Sequence, residues 1–516
     1  MKKFLAVFLA AVVLTCSLCG CGGATSETPA ASDENAPSSP APRVNEITVG
    51  IAQDLDDSLD PYQMTAAGTR EVMFNVFEGL VKPDSDGNFV CAVASDYTIS
   101  EDGLTYTFAL RDGVVFHDGS ACTADDVLYS FETCAATSVT SALVTALSNI
   151  SDISVDGNTV VITLGSPDPD FISYVASVYI VPADYADQTT QPVGTGPFKY
   201  VSRSVQENIV LERHEAYYGK VASLDKVTFR IFEDVNALFT ALNSGALDIV
   251  TKLEVDQVNN LTNGYTVLEG TMNIVQALYL NNAAAPFDNE QVRQALCYAI
   301  DMDGLMELVD EGRGTRLGSS MLPAFGKYFD ASLSDAYPYD TERAKELLAD
   351  AGYADGFSFT IIAPSNYAQH VAAAEVIAEQ LKAVGIRADI QLVDWATWVS
   401  DVYGGRNFEA TVCGFDASAV NASALLARWV SDNAKNMINY ANPDYDAAYA
   451  LARNPSLSEA EQTEQYKQCI QILSDTAANV YIQDLVNLVA INPALEGFSF
   501  YGPLYVFDAS TLHFVD

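Results

Sequence analysis

The chain has 516 residues, 49% of them apolar, which is enough for two or three domains with large cores and excludes an intrinsically disordered protein. Its 26 basic residues are outnumbered by 68 acidic ones, a formal net charge of -42, and such a surface repels phosphate backbones, so nucleic acid is excluded as a partner. Of nine cysteines, Cys16, Cys19 and Cys21 cluster near the start. Cys91, Cys122, Cys134, Cys297, Cys413 and Cys469 are widely spaced without a Cys-x-x-Cys pair, which points to buried thiols and away from a zinc site.

The first residues are Met1-Lys2-Lys3, an apolar run from Phe4 to Leu14, and Leu18-Cys19-Gly20-Cys21. A basic start, a short apolar stretch and small residues before a cysteine predict a signal peptide over 1–20. The run of about eleven residues is too short to cross a bilayer core of about 30 Å as a helix. Its ending resembles a bacterial lipobox, which implies cleavage before Cys21 and a lipid on Cys21. The body would then be extracytoplasmic and held to the cell membrane by that lipid; an ordinary cleaved signal is the alternative. Residues 21–43 are rich in Ala, Ser, Thr, Pro, Glu and Gly without periodicity, as in a disordered tether.

From Val44 onward the pattern is that of a folded body. Residues 46–51, 105–110 and 159–164 alternate like strands, with Gly103, Gly113, Gly119 and Gly157 marking turns. Asp125-Asp126 suits a helix start. The second half is different. Asp288 is the expected N-cap, with Gln291 at N3, of a helix carrying Val292, Ala295, Leu296 and Ala299 on one face. Asp340 is expected to cap a helix with Ala344, Leu347, Leu348 and Ala351 inward, stopped by Gly352. A third helix is expected from about Gln369 to Val384, ending at Gly385. It leads into a strand with Ile386, Ala388, Ile390 and Leu392 on its buried face, and Phe408 to Phe415 is a further apolar strand. Alternating helices and strands predict an α/β lobe.

Longer motifs then accumulate. They are Leu59-Asp60-Pro61, Val76-Phe77-Glu78-Gly79-Leu80-Val81, the run from Asp102 to Gly113, Phe116-His117-Asp118-Gly119, Thr123-Ala124-Asp125-Asp126-Val127, Gly194-Thr195-Gly196-Pro197-Phe198, Phe287 through Asp301, and Tyr339 through Gly352. Together they resemble the family 5 extracellular solute-binding proteins of bacterial ABC importers, the oligopeptide, dipeptide and nickel group, over about residues 46 to 500. The resemblance implies an α/β, two-lobed periplasmic-binding-protein-like fold. Lobe I would be 44–270 plus 489–516, with an extra subdomain at about 85–190, and lobe II would be 271–488. Two segments, near Asn273–Tyr279 and Ile482–Ile491, would cross between the lobes as a hinge that closes on ligand.

The resemblance also implies a ligand cleft lined from both lobes. Met64, Thr65, Ala66 and Ala67 follow the Leu-Asp-Pro segment, where family members contact ligand. Trp395 matches an aromatic that flanks the ligand in peptide binders, and Trp398 lies three residues on; both could equally be core residues. Peptide binders of the family carry Gly-Trp-x-x-Asp where this chain has Gly414-Phe415-Asp416-Ala417-Ser418. Their aspartate pairs with the peptide α-ammonium, so Phe415 and Ser418 would be ligand-facing here. A serine does not offset desolvation of a buried ammonium as a carboxylate does, which puts the usual free-amino-terminus mode in doubt.

His117, His214, His370 and His513 are scattered without metal-ligand spacing, so neither a metal nor another cofactor is expected. No Gly-x-Ser-x-Gly, His-Glu-x-x-His or phosphate-loop motif is present, so no enzyme is expected. The expected partners are a peptide or other small solute, the ABC permease, and the membrane through the lipid, with the protein a monomer. An oligosaccharide or other non-peptide ligand, or a sensory role on the same fold, are the alternatives.

Overall fold

The computed structural model describes residues 45–416, 421–502 and 506–515. Ile47, Val49 and Ile51 of the strand Glu46–Ile51 are buried, as their spacing requires in a pleated strand. This strand joins a mixed sheet whose order runs Arg387–Val393, Ser358–Pro364, Ala410–Asp416, Thr266–Leu280, Asn479–Ile491, Ile249–Leu253, Glu46–Ile51, Lys226–Ile231, Asn208–Arg213, Phe198–Ser204.

Two members of that sheet are long. Thr266–Leu280 has 15 residues and Asn479–Ile491 has 13. They pair antiparallel from Thr266–Ile491 to Tyr279–Asn479, with a break in register between Thr271 and Val275. Asn273, at the break, has φ of 56°, a left-handed conformation that asparagine tolerates better than most residues. On one side of the break the pair borders Ile249–Leu253, and on the other it borders Ala410–Asp416. The fold is thus two-lobed, and the two long strands are the crossing segments.

The cores divide in the same way. One buried cluster joins residues between Ile47 and Ile249 to Val489, Ile491, Leu495, Phe507, Ala509 and Leu512. Two others draw only on residues between Val275 and Ile482. Within the first part, Ala94–Ile99, Thr105–Leu110, Thr159–Leu164 and Ile150–Asp156 form a separate antiparallel sheet. Asn75 ties the C-terminal tail to this side: its Nδ2 donates to the Phe507 carbonyl at 2.7 Å, and its Oδ1 accepts from the Ala509 amide at 2.8 Å.

The long motifs are chiefly architectural. The Gly196 amide donates to the Val76 carbonyl at 3.0 Å, and a Cβ on Gly196 would run into the Asn75 and Val76 backbone. The Gly196 carbonyl in turn holds two histidine rings, His117 through Nε2 at 3.0 Å and His214 through Nδ1 at 3.1 Å. Burial keeps His117 neutral, its pKa lowered to about 3. Thr123 caps Ala124–Thr137, with Asp126 completing the capping box.

Several local boundaries differ from the sequence reading. The N-cap of Glu290–Ala299 is Asn289, whose Oδ1 accepts from the Gln291 amide, and not Asp288. The helix expected to end at Val384 is Ala368–Leu381 followed by a single tighter turn, Lys382–Val384. Leu392 is exposed, because Arg387–Val393 is the sheet's edge strand. The strand placed at Phe408 to Phe415 is Ala410–Asp416, with Phe408 buried just before it. Asp340 caps Thr341–Asp350 as expected. The six described cysteines are free thiols, and burial pushes Cys122, Cys134, Cys297 and Cys469 up to about 12, so they stay protonated and inert.

Candidate functional site

On the second lobe, Asp394 starts a turn of helix by accepting from the Thr397 amide at 3.0 Å and from its hydroxyl at 2.7 Å. Trp395 is the first residue of that turn and remains 43% exposed. A wider π-type turn, Trp398–Gly404, continues the helix. The three-residue step of the first, α-helical turn sets Trp398 against Trp395, the rings parallel within 5° and their centroids 5.0 Å apart. Tyr367 meets Trp395 edge-on at 5.3 Å.

Trp398 itself is buried, and its indole N–H is committed to Thr411 Oγ1 at 3.0 Å. It therefore backs the exposed Trp395 and is part of the core. Phe415, half-buried, extends the aromatic surface, with ring centroids 5.0 Å from Tyr279 and 5.9 Å from Tyr403. Gly414 permits this: a Cβ there would overlap the Ile274 side chain and crowd the His370 ring. Arg428 lies over the Phe415 ring at 4.5 Å and donates to the Tyr403 hydroxyl at 3.2 Å.

On the first lobe, Met64 is buried, while Thr65 is exposed and Ala66 half-buried. Asp56 fixes this segment. Its carboxylate accepts from the Thr65 amide, the Thr65 hydroxyl and the Ala66 amide, each at 2.8 Å. Partial burial pushes the Asp56 carboxyl up, but these hydrogen bonds outweigh it and hold the carboxyl below its usual range. Arg203 braces the loop from behind, donating to the Asp56 and Leu55 carbonyls and pairing with Asp54 at 3.0 Å. Ala67 opens the helix Ala67–Met73.

Among the described residues no hydrogen bond or ring contact joins the 64–67 segment to the Trp395–Phe415 surface. The lobes meet elsewhere. Asn421 Nδ2 donates to Ser173 Oγ at 3.0 Å, and Ser423 Oγ to Asp170. Arg453 pairs with Asp168 at 3.1 Å and reaches Asp170 at 3.7 Å. Near the hinge, Gln369 Nε2 donates to Glu254 at 2.7 Å. Ser418 and Cys21 lie outside the described residues.

Buried polar groups thread the hinge. Gln276 Nε2 sits 3.0 Å from His370 Nδ1, and Gln483 Nε2 donates to Gln276 Oε1 at 3.1 Å and to Asp310 at 2.6 Å. At the register break, a small cavity is lined by Glu71, Thr251, Asn273, Asn487, Phe500 and Tyr501, among others.

Asp56, Arg203, Tyr403, Arg428 and Arg453 escaped the sequence reading. Only Arg428 left a signal there: it interrupts the apolar run Ala424-Leu425-Leu426-Ala427 and Trp429-Val430, an uncommon setting for a charge.

With this geometry in view, residues 88–437 match the family described as bacterial extracellular solute-binding proteins, family 5. The chain is similar to the heme-binding protein A of Haemophilus influenzae, at 29% identity over 79% of this chain and 81% of that protein. It is similar to the glutathione-binding protein GsiB of Pectobacterium atrosepticum, at 30% identity over 79% of this chain and 82% of that protein. Among solved structures it resembles the periplasmic binding protein DppA of Helicobacter pylori in complex with the peptide STSA, with a TM-score of 0.73, 25% identity, and coverage of 91% and 98% of the two chains.

Proposed function

Because the chain belongs to the family 5 bacterial extracellular solute-binding proteins, we propose that it captures peptides or related small solutes in a cleft between its lobes and delivers them, chemically unchanged, to an ABC permease. The observation that carries this reading is Trp395. A tryptophan left 43% exposed, stacked on a buried tryptophan and flanked by Tyr367, is a rigid platform for a solute rather than a core residue. The names of the relatives, which are a glutathione binder, a heme binder and a peptide complex, support a compact solute with polar and apolar parts.

In this reading lobe I is 44–270 plus 489–516, with the extra subdomain at about 85–190, and lobe II is 271–488. The division of the buried clusters supports that partition. Trp395 and Phe415 line the cleft from lobe II. Thr65 and Ala66, held by Asp56, line it from lobe I, with Met64 and Trp398 behind the two surfaces. Ser418 and Ala67 complete the set. Cys21 carries the lipid that keeps the monomeric protein at the membrane, and ATP is hydrolysed by a separate subunit.

Thermal unfolding against peptide and oligosaccharide libraries tests the proposal, since a solute that binds only the folded state raises the midpoint. Short peptides should raise it. Stabilisation by saccharides alone would replace the peptide reading with a sugar one, and recovery of a chemically altered solute would end the transport reading.

A further inference from the structure

Two arginines are buried among the described residues, Arg293 and Arg428, at 6% and 7% exposure. They are treated differently. Arg293 is spent on carbonyls: Nε on Ala477 at 3.0 Å, Nη1 on Phe287 at 2.9 Å and Nη2 on Thr476 at 3.0 Å. That is a structural arginine, its hydrogen-bonding satisfied within the fold. Among the described residues Arg428 makes one hydrogen bond, to the hydroxyl of Tyr403, and its buried Nε has no partner. Among the described residues no carboxylate stands within ion-pair distance of it, in a chain with 68 acidic residues.

A guanidinium carries five N–H donors and a fixed charge. Burying it against aromatic faces recovers part of its lost hydration through the ring quadrupole, but the rest is normally balanced by an anion. Lys435 and Asp416 do not supply one. Lys435 is exposed, adds a second positive charge that acts on Arg428, and forms no ion pair among the described residues. Asp416 is exposed and acts on Lys435 from the rim. The guanidinium also lies over Phe415, on the aromatic surface that ends at the exposed Trp395.

Resting on the cleft reading given above, we propose that Arg428 binds a carboxylate of the solute, with Lys435 as an outer attracting charge, so that the ligand class is an anionic solute whose carboxylate adjoins a portion that packs on Phe415 and Trp395. The planar fork accepts a carboxylate through two parallel hydrogen bonds. The neutral carboxamide of the same solute offers one acceptor oxygen and no charge, and leaves the guanidinium unbalanced.

The test uses the full mature chain and paired probes: tripeptides, tetrapeptides and N-acylated aromatic amino acids, each as the free acid and as its primary amide, together with neutral oligosaccharides. Binding is read at pH 7 by tryptophan fluorescence and by the thermal midpoint. The expected result is that acids bind at least tenfold tighter than their own amides. Arg428→Met should erase that difference by weakening the acids, and Arg428→Lys should keep part of it. If Arg428→Met does not fold, as judged by circular dichroism, the acid and amide comparison on the unaltered chain decides, with Arg428→Lys as the second variant. Equal binding of acids and amides, an acid preference that survives Arg428→Met, or binding of neutral saccharides alone would overturn the anion assignment while leaving a solute-binding cleft. Binding of no probe of any class would overturn both.

Discussion

The Asp484 carboxylate accepts a hydrogen bond from the Ile274 amide at 3.0 Å, tying the two long strands together where one of them breaks register beside Asn273. Asp484 is fully buried, its second oxygen has no partner, and no cation stands close enough to pair with it among the described residues. Burial pushes its carboxyl up to about 7, against the opposing pull of the Ile274 and Asn273 amides. Glu71, on the nearby cavity, is also pushed up to about 7 by burial, although Thr251 and Lys252 pull it down.

These two carboxyls contribute stability that falls as pH rises. Each has a folded pKa above its unfolded value, so between about pH 4 and 7 the folded state binds more protons than the unfolded state, and raising the pH through that window costs stability. Each contribution is on the order of a few kcal/mol. Buried His117 and His370, lowered to about 3 and about 4, contribute with the opposite sign below about pH 6.5, so the Asp484 contribution is read as a difference: in urea unfolding from pH 4.5 to 8, the stability of Asp484→Asn relative to the unaltered protein should rise with pH. An unchanged slope in that variant would remove Asp484 from the account.

Trp395 and Trp398 should separate cleanly when truncated. Trp395→Ala removes an exposed platform and should weaken solute binding about tenfold, or about 1.4 kcal/mol, while moving stability by less than about 0.5 kcal/mol. Trp398→Ala opens a hole in the core and removes the indole donor to Thr411, whose hydroxyl keeps its bond to the Ile362 carbonyl, and should cost about 3–5 kcal/mol. Calorimetric titration and denaturant melts read the two effects; a stability loss from Trp395→Ala as large as that from Trp398→Ala would contradict the platform role.

Asp56→Ala should loosen Thr65 and Ala66 without unfolding the lobe, because Arg203 still braces the loop through the Asp56 and Leu55 carbonyls. Each lost hydrogen bond to this partly exposed carboxylate is worth about 1–2 kcal/mol. Faster amide exchange at Thr65 and Ala66, with weaker solute binding, is the expected outcome. Unchanged exchange at both amides would show that the carboxylate is not what holds them.

Arg453→Met should favour the open state. Arg453 is 40% exposed and its partners Asp168 and Asp170 belong to the other lobe, so the pair is worth about 0–1 kcal/mol. A bias of that size changes an open-to-closed ratio by up to about fivefold. Small-angle scattering of the solute-free chain should show a larger radius of gyration than the unaltered protein; identical profiles would mean that this contact does not influence closure.

Much of this molecule is legible in its sequence. The strands at 46–51, 105–110 and 159–164 and the cap at Asp340 followed from short-range rules, because pleat, helical period and capping act within a few residues, whereas the crossing segments followed from the resemblance to the family. The candidate solute platform was only half legible. Trp395 and Trp398 are three residues apart and of the same type; one is exposed and one is core because Trp398 packs into the second lobe's core, where Thr411, on a strand 13 residues later, claims its indole N–H. Asp56 took up Thr65, and Arg428 found Phe415 and Tyr403, only through long-range packing. The sequence alone therefore determined the elements and the family architecture, where free energy is local or repeated along the chain. Tertiary structure alone decided which polar groups are satisfied and which are left waiting, because hydrogen bonding and desolvation depend on neighbours that the chain brings together from far apart.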